Sequence, residues 1–151
     1  MNDVYSNMGG WETSKIRNYV NDDIYNSLPI ELKKLIVDTK VVSGHGSEDS
    51  SNFVTTDKLY LLATAEVYEN GIQNDTARDL TRQLEYYSNL GVTASNNSGA
   101  LKKLNGSNAS WWLRSAYSYS TYDFRYVSST GRLNNSRATN ADGVAVAFRI
   151  G

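Results

Sequence analysis

Trp111-Trp112-Leu113-Arg114-Ser115 and Gly143-Val144-Ala145-Val146-Ala147-Phe148-Arg149-Ile150 are two stiff apolar stretches. Between them the chain is made almost wholly of Tyr, Ser, Thr, Asn, Asp and Arg, a palette that suits adaptable recognition and holds no evident reaction centre. The Trp block predicts a strand. Adjacent strand residues face opposite ways, so one indole is expected in the core and the other under the polar segment or at the surface. Tyr126-Val127 and Arg132-Leu133 flank Ser128-Ser129-Thr130-Gly131, which reads as a hairpin turn with Gly131 at positive φ. Val144, Val146 and Phe148 alternate with Ala145, Ala147 and Arg149, the pattern of a half-buried terminal strand.

Composition removes several classes of function. A chain of 151 residues without cysteine can bury roughly two thirds of the surface its unfolded form exposes. One domain over 1–151, stabilised by packing alone, is therefore expected. Disulfides, thiolate metal sites and thiol nucleophiles are excluded together. Fifteen Lys and Arg stand against sixteen Asp and Glu, spread along the chain. Phosphate backbones need a concentrated basic face, so nucleic acid is not an expected partner. No run approaches the ~20 apolar residues of a membrane span, so no membrane insertion is expected. The N-terminus also lacks the basic-then-apolar order of a signal peptide, leaving any export to other means.

Upstream of the Trp block the pattern is helical. Ile16, Val20 and Ile24, with Tyr19 alongside, form one stripe on a helix starting near Thr13 or Ser14, both good caps. Pro29 suits the first turn of a second helix carrying Leu32, Leu35 and Ile36. Residues 44–52 are polar and contain the only histidine, His45, with Glu48 and Asp49. The spacing of a calcium loop is absent, so a solvated connection is expected, with no metal and no cofactor. A general base needs a partner to orient it, and His45 stands in no recognisable catalytic motif, so no catalytic residue is assigned.

Lys58 to Ala63 has the bulk of a buried strand. Asp75 or Thr76 is then expected to cap a helix running towards Asn89, with Leu80, Leu84, Tyr87 and Leu90 inward and Gly91 ending it. Arg78, Arg82 and Glu85 would form its solvent face. Ser95 to Ser110 is expected to be irregular, anchored by Leu101 and Leu104.

The Trp block, Tyr126-Val127 with Gly131, and the closing Gly143-Val144 with Ala147 and Phe148 resemble a bacterial family of unknown function. That family is common in Gram-positive bacteria and their phages, and its usual ending reads WWLRSP followed by GVRPA. Gly10-Trp11-Glu12, Ile16-Arg17, Tyr25-Asn26-Ser27-Leu28-Pro29 and Glu85-Tyr86-Tyr87 resemble it too. The family is similar in turn to the C-type-lectin-like fold of formylglycine-generating enzymes and of variable proteins diversified by retroelements, which include phage receptor-binding proteins.

The resemblance implies an α+β fold, C-type-lectin-like, with N-terminal helices and short antiparallel strands in the C-terminal part. The chain departs from the family at Ala145-Val146, where Arg-Pro is usual, and at Ala116, where Pro is usual. Relatives commonly carry strands before the Gly-Trp-Glu helix, whereas only ten residues precede Trp11. An uncovered final strand would be an aggregating edge, so an upstream segment, another chain or a rearranged N-terminus is expected to pair with it.

Formylglycine chemistry uses cysteine, and the Glu-Pro-Asn and Trp-Asn-Asp motifs of calcium lectins are missing. The expected function is a non-enzymatic ligand-binding module for a cell-surface protein or glycan, virion-associated or at a cell surface. Its contacts are expected from Tyr117, Tyr119, Tyr122, Asp123, Arg125, Asn134, Asn135 and Arg137, with Trp111, Trp112 and Arg114 as anchors. Arg114 suits either an acidic ligand group or an internal carboxylate. Tyr, Ser, Thr and Asp codons each lie one adenine replacement from Asn codons, so Tyr117 to Asp123 fit adenine-directed diversification as well as a plain exposed surface. Two alternatives are an assembly module of a phage particle or cell envelope, in which the same face is buried in an oligomer, and an inactive remnant of the formylglycine-generating type.

Overall fold

The computed structural model of the chain describes residues 1–69 and 80–151. The helix start expected at Asp75 or Thr76, and Arg78, lie outside these residues.

Ser14 opens the first helix, its hydroxyl accepting from the Arg17 N–H and satisfying one donor that a helix start leaves over. α1 (Lys15–Tyr19) continues through a π-helical turn (Val20–Ile24) into α2 (Tyr25–Ser27). Val20 is buried and Ile16 and Ile24 pack against the core, whereas Tyr19 faces solvent. Pro29 stands immediately before α3 (Ile30–Leu35), where its missing N–H costs nothing. Leu32 meets the core, but Leu35 is exposed and Ile36 belongs to the next strand. The β-branched pair Ile36-Val37 favours extended backbone and so ends the helix early.

That pair is β1 (Ile36–Val37). β2 (Thr39–Ser43) and β3 (Phe53–Asp57) then form a hairpin whose register runs from Thr39↔Asp57 to Ser43↔Phe53. The connection between them is not simply solvated. Gly44 and Gly46 are buried, and Asp49 Oδ2 accepts from the Gly9 N–H at 3.0 Å. Asp57 gathers the N-terminal elements, accepting from Trp11 Nε1 at 2.9 Å and pairing with Arg17 Nε at 2.8 Å. β4 (Tyr60–Leu61) is shorter than the apolar run that contains it, although all of Leu59 to Ala63 is buried. α4 (Thr64–Val67) follows.

The helix expected to run towards Asn89 is represented among the described residues by α5 (Glu85–Asn89). Leu80 adopts a left-handed φ of 47° and Leu84 is extended, so residues 80–84 are not helical. Tyr87 alone of the four expected inward residues is buried; Leu80, Leu84 and Leu90 are exposed. Arg82 precedes the helix, which removes the helical spacing from Arg82 to Glu85. Gly91, at φ +62°, terminates α5 as expected. Residues 95–110 are more regular than expected, containing β5 (Lys102–Leu104) paired with β6 (Ser107–Ala109). Asn105-Gly106 turns this hairpin, both residues at positive φ, which is the geometry of a type I′ turn. Leu104 is consequently exposed, and Ala100 and Val92 are the buried anchors.

β7 (Trp111–Ala116), β8 (Asp123–Val127) and β9 (Leu133–Arg137) form the largest sheet, in that order and antiparallel. Gly131 turns β8 into β9 at φ +85°. All six residues of β7 are buried. Both indoles are therefore core residues, Trp111 at 2% and Trp112 at 1% exposure. Of the two places expected for the second indole, under the polar segment or at the surface, the surface is ruled out, since β7 contacts β8, β2, β4 and α4, and Trp112 lies against Tyr126.

The chain ends in two short strands. β10 (Val146–Ala147) pairs with β4, and β11 (Arg149–Ile150) pairs with β1 through Ile36↔Ile150. The final strands, for which an upstream segment, another chain or a rearranged N-terminus was expected as partner, are paired with β1 and β4 of this chain. The change of partner at Phe148 breaks the expected alternation, leaving Val144 and Phe148 exposed while Ala145, Val146 and Ala147 pack on the core. The fold is α+β, with few helices and small antiparallel sheets. No helix among the described residues is long and apolar enough to cross a membrane.

Candidate ligand-binding site

Between β7 and β8 the Tyr-rich loop is held by buried hydrogen bonds. Ser120 Oγ accepts from the N–H groups of Tyr122 and Asp123, both at 3.1 Å, and the Tyr117 N–H donates to the Asp123 carbonyl at 2.9 Å. The N-terminal segment clamps the loop from outside. Asn7 Nδ2 donates to the carbonyls of Ser120 (2.9 Å) and Asp123 (2.8 Å), and the Asn7 N–H donates to Thr121. The Ser47 N–H adds a bond to the Ser120 carbonyl. A loop with this many internal partners has a defined backbone shape.

Above that frame lies an open, polar depression of about 460 Å³, lined by Tyr122, Asp123, Tyr126, Asn135, Ser136, Arg137 and Asn140. Antiparallel pairing of β8 with β9 places Asp123 opposite Arg137 and Arg125 opposite Asn135. Asn135 Nδ2 donates to Asp123 Oδ2 at 2.9 Å, and Asn140 Nδ2 to Ser136 Oγ at 2.9 Å. Tyr5 stacks on Tyr122 with ring centroids 4.3 Å apart, and the Arg137 guanidinium lies 5.3 Å from the Tyr5 ring. Stacked phenols beside a guanidinium offer apolar faces, hydroxyl groups and a charged fork to one ligand.

Of the eight expected contact residues, the depression brings together Tyr122, Asp123, Asn135 and Arg137. Tyr119 is 65% exposed beside it in sequence and makes an edge contact with Tyr117 at 5.8 Å. Asn134 is exposed on β9. Two expectations of display need correction: Asp123 is 8% exposed and Arg125 only 2%. Asp123 is engaged by Asn135, and the Arg125 guanidinium lies 4.1 Å from the Tyr117 ring. Their charges are placed to organise the loop and strand beneath the surface. Tyr5, Tyr126, Ser136 and Asn140 were not singled out as contacts from the sequence. Tyr5 has no local signal there, since only the folded N-terminus brings it to Tyr122.

The anchors behave as structure. Trp111 Nε1 donates to the Ala100 carbonyl at 3.1 Å, under the ammonium of Lys102, and Trp112 meets Tyr126 edge-on at 6.2 Å. Arg114 is buried and finds its internal carboxylate in Glu66, with Nη1 also donating to the Leu61 carbonyl at 2.8 Å and Nε to Val42 at 3.1 Å. His45 lies apart, its Nδ1 2.7 Å from the Gly46 carbonyl.

A family model described as a domain of unknown function, DUF6273, matches residues 1–151. The chain belongs to the DUF6273 family. No curated protein and no solved structure matches it. The depression and its clamp are thus features of a DUF6273 chain for which the family description assigns no ligand.

Proposed function

We propose that this DUF6273 chain is a non-enzymatic, C-type-lectin-like module that binds a cell-surface protein or glycan through the face around Tyr122. The observation that carries the reading is the convergence of Tyr122, Asn135 and Arg137 on one open depression above a hydrogen-bonded loop, with Tyr5 stacked on Tyr122. Rigid aromatic groups flanked by adaptable amides are the composition of a paratope. Within the depression the carboxylate of Asp123 is held by Asn135. The lectin-like part of the proposal draws support from the pairing of the first and last strands, Ile36↔Ile150.

The revised contact set is Tyr5, Tyr119, Tyr122, Asn134, Asn135 and Arg137. Diversification by adenine replacement is proposed only for the accessible positions of the palette, because Ser118, Ser120 and Asp123 are buried. The test is a screen against bacterial cells and an array of their surface glycans, using wild type and a Tyr119→Ala, Tyr122→Ala, Arg137→Ala variant. Loss of aromatic and Arg hot spots should weaken binding by roughly thirtyfold or more, with the fold retained. Undiminished binding by a folded variant refutes the proposed face.

A further inference from the structure

A second cavity, of about 260 Å³ and more enclosed than the depression at Tyr122, lies between the β5–β6 hairpin and residues 143–145. Strand alternation puts Lys102 and Leu104 on one face of β5, and pairing sets Ala109 opposite Lys102. These three side chains line the cavity with Trp111, Val144 and Ala145. Backbone bonds join its two sides: the Gly143 N–H donates to the Ser110 carbonyl at 3.0 Å, and the Trp112 N–H to the Gly143 carbonyl at 2.9 Å. That approach leaves no room for a side chain at Gly143, where a Cβ would lie 2.7 Å from the Ser110 carbonyl oxygen. Lys102 is half-buried here, its ammonium 4.8 Å from the centre of the Trp111 ring. Among the described residues no carboxylate pairs with it. Asp142, next to Gly143 in sequence, accepts from the Ser110 hydroxyl instead. Burial lowers the Lys102 pKa, the direction expected of a cation that has lost water without gaining an anion.

Beside this cation, Leu104 and Val144 leave apolar surface open to solvent, at 63% and 39% exposure. A partly desolvated positive charge and unpaired apolar walls thus meet in one space. A void of about 150 Å³ holds benzene, so one of about 260 Å³ suits roughly ten non-hydrogen atoms. We propose that this cavity binds a small monocarboxylate with an apolar body, the carboxylate meeting Lys102 and the body covering Leu104 and Val144. An ion pair formed in a half-buried setting gains more than one in open water, and the apolar contact adds to it. None of the six residues lines the depression at Tyr122, so the site is independent of what that face binds.

Phenylacetate is the probe, titrated into the whole chain at constant ionic strength and followed by amide chemical shifts and tryptophan fluorescence. Saturable binding is expected, with shifts concentrated at Lys102, Leu104, Ala109, Val144 and Ala145. Phenylacetamide has the same shape without the charge, and acetate has the charge without the apolar body. Each should bind more weakly by roughly tenfold or more. Lys102→Gln removes the cation and should weaken phenylacetate by a similar factor, whereas Lys34→Gln, at an exposed lysine of α3, should leave it unchanged. Leu104→Asp, at the exposed rim, replaces an apolar wall with a repelling carboxylate; it should abolish binding with the fold retained, and it decides the matter if Lys102→Gln does not fold. Absence of saturation, equal binding of phenylacetamide or acetate, or an unchanged affinity in either folded cavity variant overturns the proposal.

Discussion

Replacing Asn7 tests the clamp on the Tyr-rich loop. Its side chain is fully buried, and Nδ2 donates at short range to the carbonyls of Ser120 and Asp123, at 2.9 and 2.8 Å, with a longer bond of 3.5 Å to that of Tyr117. The first two carbonyls keep another donor, Ser47 N–H for Ser120 and Tyr117 N–H for Asp123. Asn7→Ala therefore removes both short hydrogen bonds, along with the longer one, without orphaning either of these carbonyls. At about 1 kcal/mol each, with some lost packing, the cost is about 2–3 kcal/mol. For a chain of this size that lowers the melting temperature by roughly 5–10 °C. Asn7→Asp keeps the shape but turns a carboxylate oxygen towards the same carbonyls, and should cost more, about 3–5 kcal/mol at neutral pH.

Burial and the facing carbonyls raise the introduced carboxyl's folded pKa above the unfolded value of about 3.9. The stability this variant keeps at acidic pH is therefore lost as pH rises through the folded value, and its gap from wild type narrows on acidification. Urea unfolding gives the energies, and hydrogen exchange at Ser120, Tyr122 and Asp123 reports on the loop itself. An Asn7→Ala loss under about 0.5 kcal/mol with unchanged loop exchange would refute the clamp, as would an aspartate variant milder than the alanine one.

Glu66→Ala should destabilise the fold by about 3–5 kcal/mol, because it strands the buried Arg114 and also removes the acceptor of the Ala63 N–H; a urea midpoint close to wild type would oppose this. Burial pushes the Tyr87 phenol up to about 12, and that of Tyr68, whose hydroxyl donates to the Gly131 carbonyl at 2.6 Å, higher still. Because these folded pKa values exceed the unfolded value of about 10, the stability they contribute is whole below pH 10 and declines from about 10 to 12. Circular dichroism with tyrosinate absorbance should show unfolding in that window, and constant stability through it would contradict the burial. Gly131→Ala should cost more than about 1 kcal/mol, since an added Cβ would lie 2.3 Å from the Asn97 carbonyl oxygen at a φ of +85°; an unchanged melting temperature would count against that close approach.

The legible parts of the fold were those governed by local chemistry. Ser14 as a cap, Pro29 before a helix, Gly91 as a stop and Gly131 in a turn are decided by one residue's conformational preference. What escaped was set by partners distant in sequence. Strand alternation separates Trp111 from Trp112, yet β7 is enclosed on both sides, so facing decides nothing there. Ile36 continues a helical stripe in sequence, but Ile150 is available to pair with it, and tertiary pairing wins. The Asn105-Gly106 hairpin carried a readable signal that the surrounding Asn, Ser and Gly obscured.

At the candidate site the same distinction separates frame from display. Sequence alone treats Tyr117 to Tyr126 as one interchangeable polar run, because Ser, Asp and Tyr are all compatible with an exposed strand or turn. Folding sorts it by partner. Ser120 is consumed by two N–H groups, Asp123 by Asn135, and Arg125 by the face of Tyr117, whereas Tyr119 projects outward and Tyr122 is extended by Tyr5. Substituting a frame residue perturbs the positions of all its neighbours, so it changes stability and binding together. Substituting a displayed one changes only what the face can meet. The proposed ligand-binding face would need that separation to change what it meets without losing its fold, and the Asn7 clamp favours it by holding the loop's backbone independently of the side chains above it.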